Sequence, residues 1–481
     1  MINKSNLLVF LFILIYCGWK ATYCDDYFYY WNLSESLKNH GQLSVDVEPG
    51  NFQQVISPQV GISYLIYLLR IMFGSEWEVI MRLIIAITYF FTYYFLVNLF
   101  SKLQLSNPRL VSLLIIFNPY FINNLILIYN DNFSTLFCFC FILFYIESEI
   151  EFSRKDFLVL FIITLAAAFF RVNIYLLVFS SCLFELINRN WRNLLRLISI
   201  LGICFLFNHW FISANNQENI KKTIDNQFVA GAAPFFLSLE KNVFFLTDGI
   251  LPVKEAKRLS RSFSVFLTNA YYCLITILIL IGGYVFIASK QSSKAKWFVV
   301  LSIFSHLIFF SLFYHHMNIP RYYFSILPLV YFLILYQFNC FTRKNTILIL
   351  LLVSFVSADL FKNSSFVYPG AYYAFTLPVI DKFWDNVKLS QLRTDQTIFM
   401  SNQQFKLYYY CNVKSFPVSK LTEGNFVKEH PLFCWVGTMP FKAIAAGNFN
   451  EKIVFHSAQQ YYFSEIRCMS SEVFLIERKQ N

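Results

Sequence analysis

Charged residues are scarce in this sequence. Only 14% of its 481 residues are Asp, Glu, Lys or Arg, whereas 57% are hydrophobic and 58 are Phe. Soluble globular chains carry about 25% charged residues, so this chain has too little polar material to cover several soluble cores. The shortage also excludes a disordered chain, and 11 cysteines are too few for a secreted disulfide scaffold. Most of the chain is therefore predicted to lie in lipid.

Several chemical motifs are missing as well. The sequence has no Gly-rich phosphate loop, no His/Cys cluster with metal-ligand spacing and no internal repeat. The net charge of +11 would suit a nucleic-acid partner, but in a membrane protein an excess of cations marks the cytoplasmic loops. We therefore expect no nucleic-acid partner and no cofactor. A divalent metal ion is compatible with the sequence but is not predicted.

Long apolar runs recur along the first 360 residues. A helix needs about 20 apolar residues to cross a bilayer. The runs predict about eleven transmembrane helices in a polytopic α-helical membrane domain, residues 1–360. The predicted spans lie near residues 5–24, 78–100, 109–126, 133–148, 157–170, 173–187, 194–213, 264–288, 297–314, 323–340 and 346–360.

The distribution of Lys and Arg predicts the orientation of these spans. With the N-terminus in the cytoplasm, twelve cations fall in cytoplasmic connectors, and the short outer connectors hold only Arg171 and Arg321. Three longer segments, 25–77, 214–263 and 361–481, then lie on the outer side. The bias toward Phe, Ile, Asn and Tyr indicates an AT-rich genome and favours a bacterial inner membrane.

The first apolar run has a second interpretation. Lys4 precedes a short hydrophobic stretch, as in a signal peptide. Trp19, Lys20 and Tyr23 fit a small-residue cleavage site poorly. A retained first helix is favoured, and it brings Asp25 and Asp26 to the outer membrane surface.

Polar residues return from about residue 361. Short runs there are typical of strands: TIFM at 397–400, KLYYY at 406–410 and KIVFH at 452–456. Residues 361–481 are long enough for one core and are predicted to form a small α/β domain outside the cytoplasm. Three cysteines fall in this segment, and the sequence leaves open which two of them would pair in an oxidising compartment: Cys411, Cys434 and Cys468.

The acidic pair Asp25-Asp26 stands at the end of the first span and opens an aromatic-rich, helix-like segment that runs to Asn39. The run SPQVGISYLIYLLRIMFG follows at 57–74, and then come Trp77 and a span that contains Arg82. A purely structural interpretation is that the pair ends the helix in the interface and the aromatics form an interfacial belt.

This order of features resembles the GT-C superfamily of membrane glycosyltransferases. The closer resemblance is to the branch of protein O-mannosyltransferases and lipid A aminoarabinose transferases, similar to glycosyltransferase family 39. It covers roughly residues 1–345 in topology and is specific over about 5–100. The resemblance implies a GT-C-like fold that takes a sugar from a polyprenyl-phosphate donor and transfers it on the non-cytoplasmic face.

Three later residues fit the same family. Asp131 lies at the outer end of the fourth span, where the family has an acidic residue, commonly Glu after Thr or Ser; here Asn residues flank the Asp. Arg171 resembles the Arg that opens the sixth span, although Val172 replaces the family's Pro. Arg321 and the Tyr after it resemble the family's Arg-Tyr pair before a late span.

General chemistry gives these residues roles. Transfer to a hydroxyl needs a carboxylate to take its proton, and Asp25 or Asp26 can supply it. A leaving lipid phosphate gains charge, which Arg171 and Arg321 can stabilise, and Asp131 is assigned to the same donor site. Otherwise such arginines simply extend to the interface. His315 and His316 could hold the phosphate, bind a metal, or be ordinary interfacial residues, and no metal site is predicted.

Other functions remain open. The loop 214–263 carries cations suited to a polysaccharide polymerase or ligase, which also act on lipid-linked sugars. A lipid-linked sugar transporter would show matched halves and mid-membrane charges, and neither is evident. The favoured partners are a polyprenyl-phosphate sugar donor, an outer-face glycan, lipid or protein acceptor, and membrane lipid.

Overall fold

The computed structural model of the chain describes most of the membrane domain and parts of the remainder. The described residues are 4–19, 25–49, 51–54, 60–118, 121–122, 125, 128–148, 151–213, 239, 261–313, 323–338, 344–360, 398–400, 404–411, 414–417, 432–437, 453–462 and 470–478.

The described residues are mainly helical. The helices, numbered here in chain order, are α1 Lys4–Trp19, α2 Asp25–His40, α3 Gly61–Phe73, α4 Trp77–Lys102, α5 Pro108–Ile116, α6 Asn130–Glu147, α7 Arg154–Phe170, α8 Ile174–Ile187, α9 Trp191–Ser213, α10 Arg261–Ala288, α11 Ser293–Phe313, α12 Leu327–Tyr336, α13 Lys344–Leu360 and α14 Gln404–Cys411.

Each of the eleven predicted spans overlaps one of these helices, namely α1 and α4 to α13. By length and composition alone, two helical stretches in the described residues could cross a membrane, Gly61–Lys102 and Ser293–Leu312. Shorter apolar helices occur at Asn6–Ile15, Ile174–Ile187, Cys273–Ala288 and Leu327–Tyr336. The helical part of the prediction is thus confirmed, while the number of spans stays a prediction.

Local sequence signals explain where several helices begin. Ser153 precedes α7 and forms a capping box with Asp156: each side chain bonds to the backbone N–H of the other residue. Pro108 occupies the first turn of α5, where its missing N–H costs nothing. These caps place the turns between helices at the polar breaks that the sequence predicts.

The membrane helices pack through aromatic rings and close backbone contacts. The Phe141 and Tyr145 rings of α6 are parallel, with centroids 6.1 Å apart, and Phe286 of α10 meets the Phe332 ring of α12 edge-on at 4.8 Å. At Gly282 the two helices approach so closely that an added Cβ would lie 2.0 Å from the carbonyl oxygen of Leu333. Small residues allow such contacts between helices in lipid, where apolar burial supplies little attraction.

A polar cluster connects α6, α8 and α11 near the last turn of α6. The Tyr145 hydroxyl donates to Glu185 at 2.9 Å, and Lys294 lies 4.6 Å from the Tyr145 ring centre. Lys294 also donates to the carbonyl oxygen of Ser148 at 2.9 Å. This cluster satisfies polar groups that would otherwise be buried without partners.

The strands are β1 Ser44–Glu48, β2 Asn51–Gln54, β3 Ile398–Met400, β4 Leu432–Gly437, β5 Ile453–Tyr462 and β6 Ser470–Arg478. β1 and β2 form an antiparallel hairpin within the first outer segment, which the sequence did not predict. The other four form a sheet in the order β3-β4-β6-β5, with β3 and β4 parallel and the remaining pairs antiparallel.

Two of the three predicted runs in the tail are strands, and one is not. TIFM and KIVFH overlap β3 and β5. KLYYY was predicted as a strand, but it lies in helix α14. The physical reason is that Phe405, Tyr408 and Tyr409 follow helical spacing and contact aromatic rings of α2, so tertiary packing overrides the strand preference of Tyr.

The chain divides into two compact units. The first comprises Met1–Thr22, Ile56–Ile62 and Glu78–Tyr372, and the second comprises Tyr23–Val55, Ser63–Trp77 and Tyr373–Asn481. Thus most of the first outer segment belongs to the same unit as the tail. The predicted boundary at residues 360 and 361 stays a prediction, because residues 361–397 lie outside the described part.

Helix α3 exposes an apolar face. Leu68, Ile71 and Met72 keep 51%, 59% and 69% of their surface. Such a face suits a helix that lies in the membrane interface. Most of the outer loop 214–263 and Cys468 lie outside the described residues, so neither the loop's cations nor the pairing of the tail cysteines is tested.

Candidate functional site

The acidic pair begins helix α2. Asp25 and Asp26 are its first two residues, and their side chains lie outside the described part of the structure. The first backbone N–H groups of a helix have no partner within it, and the helix dipole places partial positive charge at this end. A carboxylate is therefore favoured at this position, and the role of either residue as a base stays a prediction.

The residues directly after the pair are fixed by aromatic packing. Tyr27 and Phe28 are fully buried. The Tyr27 ring is parallel to that of Trp77 with centroids 6.5 Å apart, and Tyr409 of α14 meets Phe28 edge-on at 5.2 Å. The hydroxyl of Tyr27 also donates to that of Tyr409 at 3.4 Å. These contacts hold the first turn of α2 against α14 and the Trp that follows α3.

The middle of α2 is held by a cation from α3. Arg70 forms an ion pair with Glu35, donates to Ser34 Oγ at 3.3 Å and lies 5.3 Å from the centre of the Trp31 ring. The Arg70 and Glu35 side chains keep 17% and 16% of their surface. Because one guanidinium serves a carboxylate, a hydroxyl and an aromatic face, it links the two helices through three contacts.

The hairpin and the segment after α14 join the same unit. Lys414 forms an ion pair with Asp46, whose backbone N–H donates to Asn32 Oδ1 at 3.2 Å. The Ser415 N–H donates to the carbonyl oxygen of Val47 at 2.9 Å. Burial raises the pKa of Tyr408, and the negative charges of Asp46 and Glu35 raise it further, so this phenol stays neutral.

In the other unit, Asp131 and Arg171 form a buried ion pair. Asp131 lies in the first turn of α6, and Arg171 follows the last residue of α7. Arg171 Nη1 donates to Asp131 Oδ1, and each side chain keeps only 4% of its surface. The structure therefore brings together two residues that the sequence assigned separately to the donor site, and it pairs their charges with each other.

Of the two asparagines that flank Asp131, Asn130 contacts the start of α3. Asn130 Oδ1 accepts from the backbone N–H of Ile62 at 3.1 Å. Beside this contact, a Cβ on Gly61 would lie 2.5 Å from the ring of Phe170, which stacks on Phe133 at 4.7 Å. Sequence reasoning missed this junction, although the tripeptide Asn-Asp-Asn at the start of an apolar helix was a visible signal.

The remaining candidates cannot be placed. Arg321, His315 and His316 lie outside the described residues. Within the described part of the chain, no group of three or more His, Cys, Asp or Glu side chains could hold a metal ion. Since the adjacent histidines are outside that part, the structure does not test whether the protein binds a metal.

No family model and no curated protein matches the sequence of the chain. Solved structures do match. ArnT from Cupriavidus metallidurans bound to undecaprenyl phosphate superposes with a TM-score of 0.58 at 12% identity, over 98% of this chain and 97% of that one. Its apo form gives 0.56 at 11% identity over the same shares.

A second protein with this architecture is the archaeal oligosaccharyltransferase AglB from Archaeoglobus fulgidus, in complex with an inhibitory peptide and a dolichol-phosphate. Its TM-score is 0.52 at 11% identity, over 92% of this chain and 71% of that one. ArnT, an aminoarabinose transferase, and AglB are both GT-C glycosyltransferases. The chain therefore has the fold of the GT-C membrane glycosyltransferases, as the sequence resemblance predicted.

Proposed function

We propose that this protein is a glycosyltransferase that moves one hexose or pentose from a polyprenyl-phosphate donor to an acceptor hydroxyl. The reaction takes place on the outer face of the membrane. We assign the protein to the bacterial inner membrane, with its N-terminus in the cytoplasm. The acceptor is a cell-envelope glycan, a lipid or a protein.

One observation carries this proposal. The match to ArnT extends over 98% of the chain, and that ArnT structure contains undecaprenyl phosphate. The AglB structure contains a dolichol-phosphate, a lipid phosphate of the same chemical class. Two members of the fold with polyprenyl phosphates support a donor of this class for the present chain.

The proposed chemistry follows from the acidic pair. The carboxylate of Asp25, or of Asp26, removes the proton from the acceptor hydroxyl while its oxygen bonds to the anomeric carbon of the sugar. The bond from that carbon to the phosphate oxygen breaks, and polyprenyl phosphate leaves with the bonding electrons. A single displacement of this kind inverts the anomeric configuration.

The cations complete the proposal. Arg171 would stabilise the charge that develops on the leaving phosphate, with Asp131 holding the guanidinium in position. Arg321, His315 and His316 are further candidates for the same phosphate. The C-terminal segment would recognise or shield the acceptor.

The test is transfer by the purified protein in lipid. The donors are radiolabelled polyprenyl-phosphate sugars, and a membrane extract supplies acceptors. Asp25→Asn or Asp26→Asn should lower transfer by at least about a hundredfold, the usual contribution of a general base, with donor binding unchanged. The matched control is Glu151→Gln, whose exposed carboxylate pairs with Arg192 at 3.0 Å and should be dispensable.

The two aspartates can be separated by the same assay, because only the base should show the full loss. Full activity in both variants would refute the proposed base. A wild-type protein that transfers no sugar but moves lipid-linked sugar across vesicles would establish transport instead. Addition of many sugars to one acceptor would indicate a polymerase.

A further inference from the structure

Asn132 carries a buried side-chain amide that has no hydrogen-bond partner among the described residues. It follows Asp131 in the first turn of α6 and has no exposed surface. Neither Oδ1 nor Nδ2 has a hydrogen-bond partner within the described part of the chain. A side-chain amide carries two donor hydrogens and two acceptor lone pairs, so all of its hydrogen-bonding capacity is unused.

Comparable buried asparagines in the membrane helices or at their ends are satisfied. The side chain of Asn118 is also fully buried, and it donates to the Tyr331 hydroxyl at 2.6 Å and accepts from the Phe121 N–H at 3.2 Å. Asn193 accepts from the Phe152 N–H at 3.0 Å. Buried polar groups nearly always have partners, so the unpaired amide of Asn132 calls for an explanation.

The ion pair beside Asn132 limits what that explanation can be. Asp131 and Arg171 bond to each other and not to the amide. The phosphate diester of a sugar-linked lipid has only acceptor oxygens and would leave Oδ1 unpaired, while an ammonium group would leave Nδ2 unpaired. A hydroxyl, like water, both donates and accepts, so a molecule rich in hydroxyls satisfies both atoms.

We propose that Asn132 binds hydroxyl groups of the sugar on the lipid donor and thereby contributes to sugar recognition. This inference rests on the proposed function, since it assumes a donor that carries a sugar. Without the sugar, the unpaired amide weakens the fold. With the sugar, both atoms gain partners, so binding relieves a locally unfavourable feature of the unbound protein.

Two variants separate binding from folding. Asn132→Leu replaces the amide with an apolar side chain of similar volume and should keep or raise the melting temperature, because it removes unsatisfied polar atoms. The matched control Asn118→Leu breaks two hydrogen bonds of an equally buried amide and should lower the melting temperature. A clear drop in melting temperature for Asn132→Leu would overturn the inference, since it would reveal a structural partner.

Binding is measured with the full chain in nanodiscs. The probes are undecaprenyl phosphate alone and undecaprenyl phosphate linked to glucose, mannose or 4-amino-4-deoxyarabinose. For the sugar that wild type binds best, Asn132→Leu should raise Kd by about five- to tenfold, the usual effect of losing hydrogen bonds to a neutral ligand. Its Kd for bare undecaprenyl phosphate should not change, and Asn118→Leu should leave the ratio of the two Kd values unchanged.

The outcomes distinguish a failure of the role proposed for Asn132 from a failure of the proposed function. Wild type that binds the bare and sugar-linked lipids equally well overturns the role of Asn132 but leaves a polyprenyl-phosphate site. A sugar preference that persists in Asn132→Leu has the same consequence. Wild type that binds none of the four lipids refutes the proposed function, and the role of Asn132 with it.

Discussion

The buried ion pair between Asp131 and Arg171 allows a quantitative test of the membrane domain. The two side chains come from different helices and each keeps only 4% of its surface. Arg171→Met or Asp131→Leu removes one charge and leaves the other buried without its counter-ion. The double variant removes both charges and substitutes apolar side chains for them.

The expected magnitudes follow from burial. Two opposite unit charges about 4 Å apart attract by about 4 kcal/mol at an effective dielectric constant of about 20. Removing one partner of a buried pair lowers the free energy of unfolding by about 3–5 kcal/mol, because the remaining charge stays desolvated. The double variant also avoids both desolvation penalties, so we expect it to be about as stable as wild type.

The free energy of unfolding can be measured by chemical denaturation in mixed micelles, with tryptophan fluorescence as the signal. The control pair is Arg192 and Glu151, which are 3.0 Å apart but keep 64% and 69% of their surface. Breaking an exposed pair should cost less than about 1 kcal/mol. The reasoning is refuted if Arg171→Met costs no more than Arg192→Met, or if the double variant is less stable than both single variants.

Two further predictions concern helix packing. Gly282→Ala should lower the free energy of unfolding by about 1–3 kcal/mol, because the new methyl group would lie 2.0 Å from the carbonyl oxygen of Leu333. In the same denaturation assay the neighbouring control Gly283→Ala should be nearly neutral, since its nearest contact would be 4.0 Å away, and equal costs would contradict the packing. Tyr409→Ala should cost about 2–4 kcal/mol and reduce sugar transfer, because it removes edge contacts to α2 such as that with Trp31 at 4.8 Å. Tyr409→Phe keeps the ring and should retain most of the stability and most of the transfer activity. Normal transfer by Tyr409→Ala would show that the packing of α14 against α2 is not needed for transfer.

The sequence predicted the helices of the membrane domain well, because lipid leaves few alternatives for an apolar run. Every backbone polar group in the bilayer must bond within the protein, so an apolar run of sufficient length becomes a helix whatever its neighbours are. The segment at α2 was also predicted to be helix-like, and the apolar residues of α3 share one face of the helix.

Strand and helix preferences were less informative in the tail. The aromatic run at 406–410 satisfies the preference of Tyr for strands, yet it lies in helix α14. Its rings have partners on α2, which is more than 360 residues away in sequence. No local window contains that information.

The sequence by itself determined the class of protein and the positions of the apolar helices, and it named candidate residues for acid–base and phosphate chemistry. Only the tertiary structure decided that Asp131 and Arg171 pair with each other, that Arg70 links α2 and α3, and that the buried Asn132 has no partner within the described part of the chain. Composition and periodicity indicate whether each residue prefers water or an apolar environment. Pairing and the lack of a partner depend instead on which distant residues share a position in space.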